Sequence, residues 1–321
     1  VSYQTDGVDS MLKHWEHTEY LSTEQYDSLL LGAKIVPTVP LPCNTALYVD
    51  HLGTDISKKR LECIYDGVLK CIRPIKAKGP NRDLRLYKDA LNNTNITMLA
   101  VDGLVGTGKT STLIEHLIKK NLKDVDLSDR AISGPSYNLL SDDNDKATDR
   151  KILIAKPAVN SAGEEYGFLP GDINEKMVPT LKNYTQYFDR LHPAGFELLK
   201  ENGYVEILPL GFIRGMDADN MDIIVDEAQN TKELITIATR HANDARTFFI
   251  GDTSPFQIDR EDNTPEKNGL ADFIDLMNGA PYFQYIEMKS LEHIVRSDEV
   301  RDIMRRMFKK HGRDPKEWIM N

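Results

Sequence analysis

The chain has 321 residues, 40% of them hydrophobic and 28% charged, an ordinary balance for a folded globular protein with room for one large domain or two modest ones. Its net charge of −10 argues against a surface coated for nucleic-acid binding. A local basic groove stays possible, since phosphate contacts act within a Debye length of roughly 10 Å. No run of 18 apolar residues exists to span a membrane, and the opening VSYQTDGVDSMLKHW lacks the basic stretch and apolar core of a secretory signal.

Residues 1–78 are expected to form a small α+β module of unknown role, and residues 79–321 the main domain. His14, Glu16 and His17, on a predicted helix, have no cysteine partner and make a poor zinc site. The proline-punctuated segment VPTVPLP is extended. Two β-prone runs, residues 60–65 and 68–72, flank Asp66-Gly67, which predicts a hairpin with a two-residue type I′ turn. Cys43, Cys63 and Cys71 form no C-x-x-C pair and are odd in number, as expected of reduced, partly buried thiols.

The segment ITMLAVDGLVGTGKTST is an apolar strand, a glycine loop and the start of an apolar-periodic helix. Gly103, Gly106, Thr107, Gly108, Lys109 and Thr110 supply the G-x-x-x-x-G-K-T pattern, with Ser111 following. Glycines allow backbone N–H groups to wrap phosphate oxygens, and a helix N-terminus adds its positive dipole end. Lys109 is placed to reach the β- and γ-phosphates, and the Thr110 hydroxyl to sit on Mg²⁺.

The helix over residues 110–122 is followed by residues 123–150, which hold seven aspartates and no apolar period and read as a mobile acidic insertion. Predicted strands follow at residues 151–155, 204–210, 221–225, 246–250 and 283–288, with helices at 231–242 and 270–277. This alternation predicts an α/β fold with a mostly parallel sheet. Ligands of such sheets bind beyond the carboxyl ends of the strands. That rule gathers the glycine loop, Asp226-Glu227 and Asp252 on one edge. A last helix carries Val300, Ile303, Met304, Met307 and Phe308 at the spacing of a buried stripe. Its arginines and lysines read as a solvated face, or else as a nucleic-acid or subunit contact.

Asp226, at the end of an apolar strand, is placed to hold Mg²⁺. Glu227 beside it is placed to orient and deprotonate an attacking water. Asp252 and Gln257, after the next strand, are candidates to sense the γ-phosphate. The alternatives are a helix-starting acid for Glu227 and a plain surface turn for Asp252.

The blocks KPAVNSAGEEYGFLPGDINEKMVPTL, ILPLGFIRG, IIVDEAQNT, TRH and VRS follow the glycine loop in order. Together they resemble the PhoH-like ATPases, single-core relatives of superfamily 1 helicases, over about residues 79–303. The resemblance implies a RecA-like fold and a cytoplasmic, Mg²⁺-dependent ATPase linked to RNA metabolism, and phages also carry members. Leu84 stands where the family has an adenine-reading Gln, leaving Arg82 or Tyr87 as substitutes for stacking. Lys156 replaces the family's Arg and loses its bidentate fork. About two extra residues precede Gln257.

These observations lead to ATP hydrolysis coupled to remodelling of, or movement along, RNA or single-stranded DNA. The alternatives are a nucleotide-dependent switch or scaffold and, more remotely, a kinase. One core has no second domain to lend an arginine finger, so a homo-oligomeric ring is expected to supply it in trans. Arg296 is the first candidate, Arg240 the second and Arg214 the third, with an intrachain salt bridge as the competing role for each.

Overall fold

The computed structural model describes residues 14–53, 58–123, 125, 150–156, 173–215, 219–231, 233–240, 242, 244–254 and 268–310. The chain divides into two compact units, residues 1–101 with 272–288, and residues 102–271 with 289–321. Residues 124 and 126–149 of the acidic insertion, and Gln257, lie outside the described residues.

In the first unit a four-stranded sheet runs in the order β1 (Thr18–Leu21), β2 (Thr45–His51), β3 (Leu61–Asp66), β4 (Cys71–Pro74). β1 is parallel to β2, and the other two pairings are antiparallel. Helix α1 (Thr23–Leu30) starts at a Ser22/Gln25 capping box and buries Tyr26 and Leu29. These join Leu21, Leu47, Val49, Cys63 and Ile72 in one apolar core. All three cysteines are free, and burial pushes the Cys63 thiol up to about 12, so it packs as an apolar group.

Two expectations fail here. The β3–β4 hairpin forms, but four residues connect the strands rather than two, and the positive φ falls on Lys70 (55°). The Asp66 carboxylate decides this: its Oδ1 accepts from the Val68 and Leu69 N–H groups and its Oδ2 from Arg73 Nε. Gly67 is required for space, since a Cβ there would lie 2.6 Å from Cys43 Cβ. His14 and Trp15 are in a turn, not a helix, with Trp15 at φ 71°. Both ring nitrogens of His14 are used structurally, by the Tyr285 carbonyl and the Ala46 N–H. No group of three metal-ligating side chains occurs among the described residues.

Helix α2 (Arg82–Asn92), capped by the Asn81 side chain, leads into β5 (Met98–Gly103). Tyr87 is 0% exposed, which removes it as a stacking surface for a base. Arg82 is engaged with the Tyr48 hydroxyl and lies over the Trp15 ring.

The larger sheet has six strands in the order β10-β5-β9-β8-β6-β7, comprising β5, β6 (Lys151–Lys156), β7 (Val205–Pro209), β8 (Met221–Val225), β9 (Arg246–Gly251) and β10 (Phe283–Met288). β6 pairs in parallel with β7 and β8, and β8 with β9. Ile152, Ile154, Ile223, Ile224, Phe248 and Phe249 are at most 1% exposed, the continuous apolar run of a sheet covered on both faces. Helix α3 (Lys109–Asn121) buries Leu113, Ile114, Leu117 and Ile118. At the amino end of β8, fully buried Asp222 pairs with Arg150 and accepts from Asn121.

A long helix, α4 (Ile173–Leu191), was not expected from the sequence, because Pro179 in its interior reads as a breaker. It is followed by α5 (Gly195–Glu201). Conversely α6 spans only Leu234–Ala238, while α7 (Gly269–Met277) forms as expected. In the last helix, α8 (Asp298–Lys310), Met304 and Phe308 are buried with Leu104 and Ile294, but Ile303 is 53% exposed, so the apolar stripe is narrower than its spacing suggested. Asp298 pairs with Arg301, and Asp302 with Arg305 and Arg306, along the helix itself. No helix among the described residues is long and apolar enough to cross a membrane.

Asp66 gives a stability test. Burial works against its charge, but the Leu69 N–H, Arg73 and the Val68 N–H together hold its pKa below the usual carboxylate value. A lowered folded-state pKa contributes stability that is present above the unfolded value, near pH ~4, and lost as pH falls through the folded one. Asp66→Ala is expected to cost about 3 kcal/mol at neutral pH in denaturant titration, with a smaller difference from wild type in acid.

Candidate functional site

The carboxyl ends of β6, β8 and β9 and the loop after β5 open on one cavity of about 630 Å³. Lys109, Lys156, Arg190 and Arg296 face it, as do Asp226, Glu227 and Asp252. In a chain of net charge −10, this cavity has more cations than acids.

The glycine loop forms one wall. Gly106 (φ 79°) and Gly108 (φ 82°) occupy the left-handed region, where any other residue is strained, and Gly108 leads into α3. Thr107 Oγ1 donates to the Leu104 carbonyl at 2.8 Å, and Ser111 Oγ to the Gly108 carbonyl at 3.1 Å, so both hydroxyls brace the loop. The Lys109 ammonium bonds the carbonyls of Gly103 and Leu104. Thr110 lines the cavity beside it.

The facing wall is acidic. Lys156 Nζ lies 3.1 Å from Asp226 Oδ2 and 5.1 Å from the centre of the Tyr184 ring. Lys156 thus neutralises the acid at the end of the neighbouring strand. Glu227 sits at φ 53°, an uncommon conformation for a side chain of its size. Burial and the adjacent Asp226 raise its pKa, while Gln229, Lys156 and Lys109 pull it down. Burial and Asp102 likewise raise that of Asp252. Asp102, at the end of β5, accepts from Thr253 N at 2.8 Å and pairs with Lys289.

Gln229 was missed by sequence reasoning although it lies inside the quoted IIVDEAQNT block. Its Nε2 donates to Glu227 Oε2 at 2.6 Å, and its Oε1 accepts from Asp252 N at 3.2 Å. It ties the acid after β8 to the end of β9. Gly251 makes room for it, since a Cβ there would collide with Gln229 Oε1. Tyr187 and Arg190, on the unexpected helix α4, were also missed, and the Arg190 guanidinium lies 5.4 Å from the centre of the Tyr187 ring.

The other expected residues divide. Arg296 lines the cavity next to the glycine loop of its own chain, and Val295 N donates to the Gly106 carbonyl at 2.9 Å. Arg240, after α6, is exposed and does not line the cavity. The side chains of Arg214 and Gln257 lie outside the described residues.

The residues present fit a magnesium-bound nucleotide. Thr110 and Asp226 offer a hydroxyl and a carboxylate, hard oxygen donors, in a cavity without a ready-made protein cage among the described residues. Mg²⁺ is usually held by one or two protein oxygens plus phosphates and waters.

A glycine loop running from a sheet strand into a helix, opposite an acidic strand end in a RecA-like α/β core, defines a P-loop NTPase-type protein. The comparisons with known proteins narrow this. The family described as PhoH-like protein matches residues 142–308, and the chain belongs to that family. It is 38% identical over 142 residues to the PhoH-like protein of Bacillus subtilis (strain 168), covering 43% of each chain. It is 25% identical over 224 residues to Protein PhoH2 of Mycolicibacterium smegmatis (strain ATCC 700084 / mc(2)155), 67% of this chain and 44% of that one. With the PhoH-like protein of Synechocystis sp. (strain ATCC 27184 / PCC 6803 / Kazusa) it shares 37% identity over 105 residues, 32% of each. The aligned segments thus span less than half of these relatives.

The Gln229 bridge makes a specific expectation. Gln229→Ala and Gly251→Ala should each lower nucleotide turnover by about 10²-fold through misplacement of Glu227 and Asp252, with nucleotide affinity retained. Because both break one bridge, the double variant should be no worse than the poorer single one, which a two-by-two kinetic comparison measures.

Proposed function

We propose that the cavity hydrolyses ATP, or nucleoside triphosphates more broadly, with Mg²⁺, and that hydrolysis drives binding to, remodelling of, or movement along RNA or single-stranded DNA. The observation that carries the hydrolytic part is the Glu227 carboxylate. It is half-buried, held by Gln229, and placed on the same cavity as Lys109. A kinase would use such a carboxylate only with an acceptor hydroxyl bound beside it, whereas hydrolysis needs it only to hold a water.

In this reading the loop N–H groups between Gly106 and Ser111 cradle the phosphates, and Lys109 leaves the carbonyls of Gly103 and Leu104 to meet the β- and γ-phosphates. Thr110 and Asp226 hold Mg²⁺, which supplies charge neutralisation at the phosphate oxygens. Glu227 orients a water whose oxygen bonds to the γ-phosphorus as the bond to the bridging oxygen of the diphosphate breaks. The water's proton passes to Glu227, and inorganic phosphate and the diphosphate leave. The burial that raises the pKa of Glu227 makes it a better proton acceptor than an exposed carboxylate.

The nucleic-acid part rests on the family resemblance alone. The relatives' printed names add no substrate.

Two variants separate the roles. Lys109→Ala should weaken nucleotide binding and abolish turnover. Glu227→Gln should bind normally and retain intact triphosphate, with turnover lowered by about 10²-fold or more, read as phosphate release and as the nucleotide recovered from the protein. Single-stranded RNA or DNA should stimulate wild-type turnover. Turnover by Glu227→Gln at the wild-type rate would remove it from the base role, and indifference to both kinds of strand would favour a nucleotide-dependent switch.

A further inference from the structure

We infer that Arg190 and Arg296 grip the terminal phosphate of the bound nucleotide from within one subunit, so that each chain carries its own charge-stabilising arginines. The inference rests on the nucleotide site described above and adds to it a residue, Arg190, that the sequence reading did not single out.

Arg60, Arg73, Arg85 and Arg150 each bond a carboxylate, and the arginines of α8 pair along their own helix. Among the described residues, Arg190, Arg240 and Arg296 have no carboxylate within ion-pairing distance. Two of these three line the cavity that holds the glycine loop. A guanidinium carries five N–H donors in a planar fork suited to phosphate oxygens, and an arginine left without an acid beside a phosphate cradle has those donors available.

Their mountings come from different elements. Arg296 is tied to the loop, because Val295 N donates to the Gly106 carbonyl, and a Cβ on Gly106 would lie 3.2 Å from Arg296 Cβ. Arg190 is carried by α4, whose Tyr184 and Phe188 are buried and whose Asp189 Oδ1 accepts from Phe196 N at 2.8 Å. The Tyr187 ring supports the Arg190 guanidinium by a face contact that uses none of its hydrogen-bond donors. The three acids of the cavity are engaged with other groups, Asp226 with Lys156, Glu227 with Gln229 and Asp252 with the Ser254 N–H. A magnesium-bound triphosphate is still an anion, and its terminal phosphate is of the charge and shape that both guanidinium groups suit.

The test measures binding as well as turnover. Wild type, Arg190→Ala, Arg190→Lys and Arg296→Ala are titrated with a β,γ-imido analogue of ATP and with ADP. Both sites are exposed, so the variants should fold, which circular dichroism checks. Each alanine variant should lose about tenfold or more of the preference for triphosphate over diphosphate, with ADP affinity unchanged within about twofold, and Arg190→Lys should keep part of it. Phosphate release should fall by roughly 10²-fold or more in both alanine variants. Mixing Arg190→Ala or Arg296→Ala with Lys109→Ala should restore nothing, since no subunit then holds a complete site.

An unchanged triphosphate preference overturns the inference. So does recovery of activity on mixing, which would place the arginines in trans, or a loss confined to single-strand affinity, which would assign them to a nucleic-acid backbone. The two readings fail separately. Triphosphate discrimination through Arg190 without phosphate release keeps this inference and removes hydrolysis, while full hydrolysis by Arg190→Ala does the reverse. A wild-type protein that binds neither nucleotide overturns both.

Discussion

The site depends on the parallel register of β6, β8 and β9. Ala155 pairs with Val225, and Val225 with Phe249, so the next residues along each strand, Lys156, Asp226 and Ile250, emerge abreast. Residues separated by roughly a hundred positions in sequence thus meet at one edge, by a rule of strand pairing that needs no specific contact between them. The strands themselves are apolar and buried on both faces, and polar chemistry begins where the sheet ends.

That edge has an electrostatic cost which its own residues meet. Asp226, at 8% exposure, is paired with Lys156, which supplies a countercharge. Asp102 is 0% exposed and is matched by Lys289 and the N–H and hydroxyl of Thr253. Removing one member of such a pair typically costs about 3–5 kcal/mol, because it leaves a buried charge uncompensated. Backbone strain is concentrated in the same place. Glu227 and the two loop glycines all have positive φ, and for Glu227 the cost is of order 1–3 kcal/mol. Gln229 offsets part of it by donating to the Glu227 carboxylate.

Much of this was readable in the sequence, for reasons that differ by element. The bounds expected for β8 and β10 match the structure to the residue, because short apolar runs ended by acids or lysine leave little choice. The glycine loop was legible because its backbone requirement admits few residue types. What escaped depended on tertiary contacts. Helix α4 runs through Pro179, so a local breaker signal was overruled. Gln229 carries no charge and acts by spanning two strand ends, which no spacing reveals. The hairpin turn followed the Asp66 side chain instead of the Asp-Gly dipeptide, since four hydrogen-bonding partners converge on that carboxylate. Tyr87, a possible stacking surface in sequence, is wholly enclosed, a distinction that its helical spacing alone does not make.

The central claim is that this cavity is where water attacks a nucleotide's terminal phosphate. A crystal structure with ADP, Mg²⁺ and aluminium fluoride tests it most directly, because the fluoride complex mimics the phosphoryl group in transit. The account predicts the diphosphate on the N–H groups of residues 106–111 and the metal near Thr110 and Asp226. It places Lys109 on the fluoride group and a water between that group and the Glu227 carboxylate. A nucleotide bound elsewhere, or a fluoride group facing solvent with Glu227 still turned to Gln229 and no water in line, would contradict it.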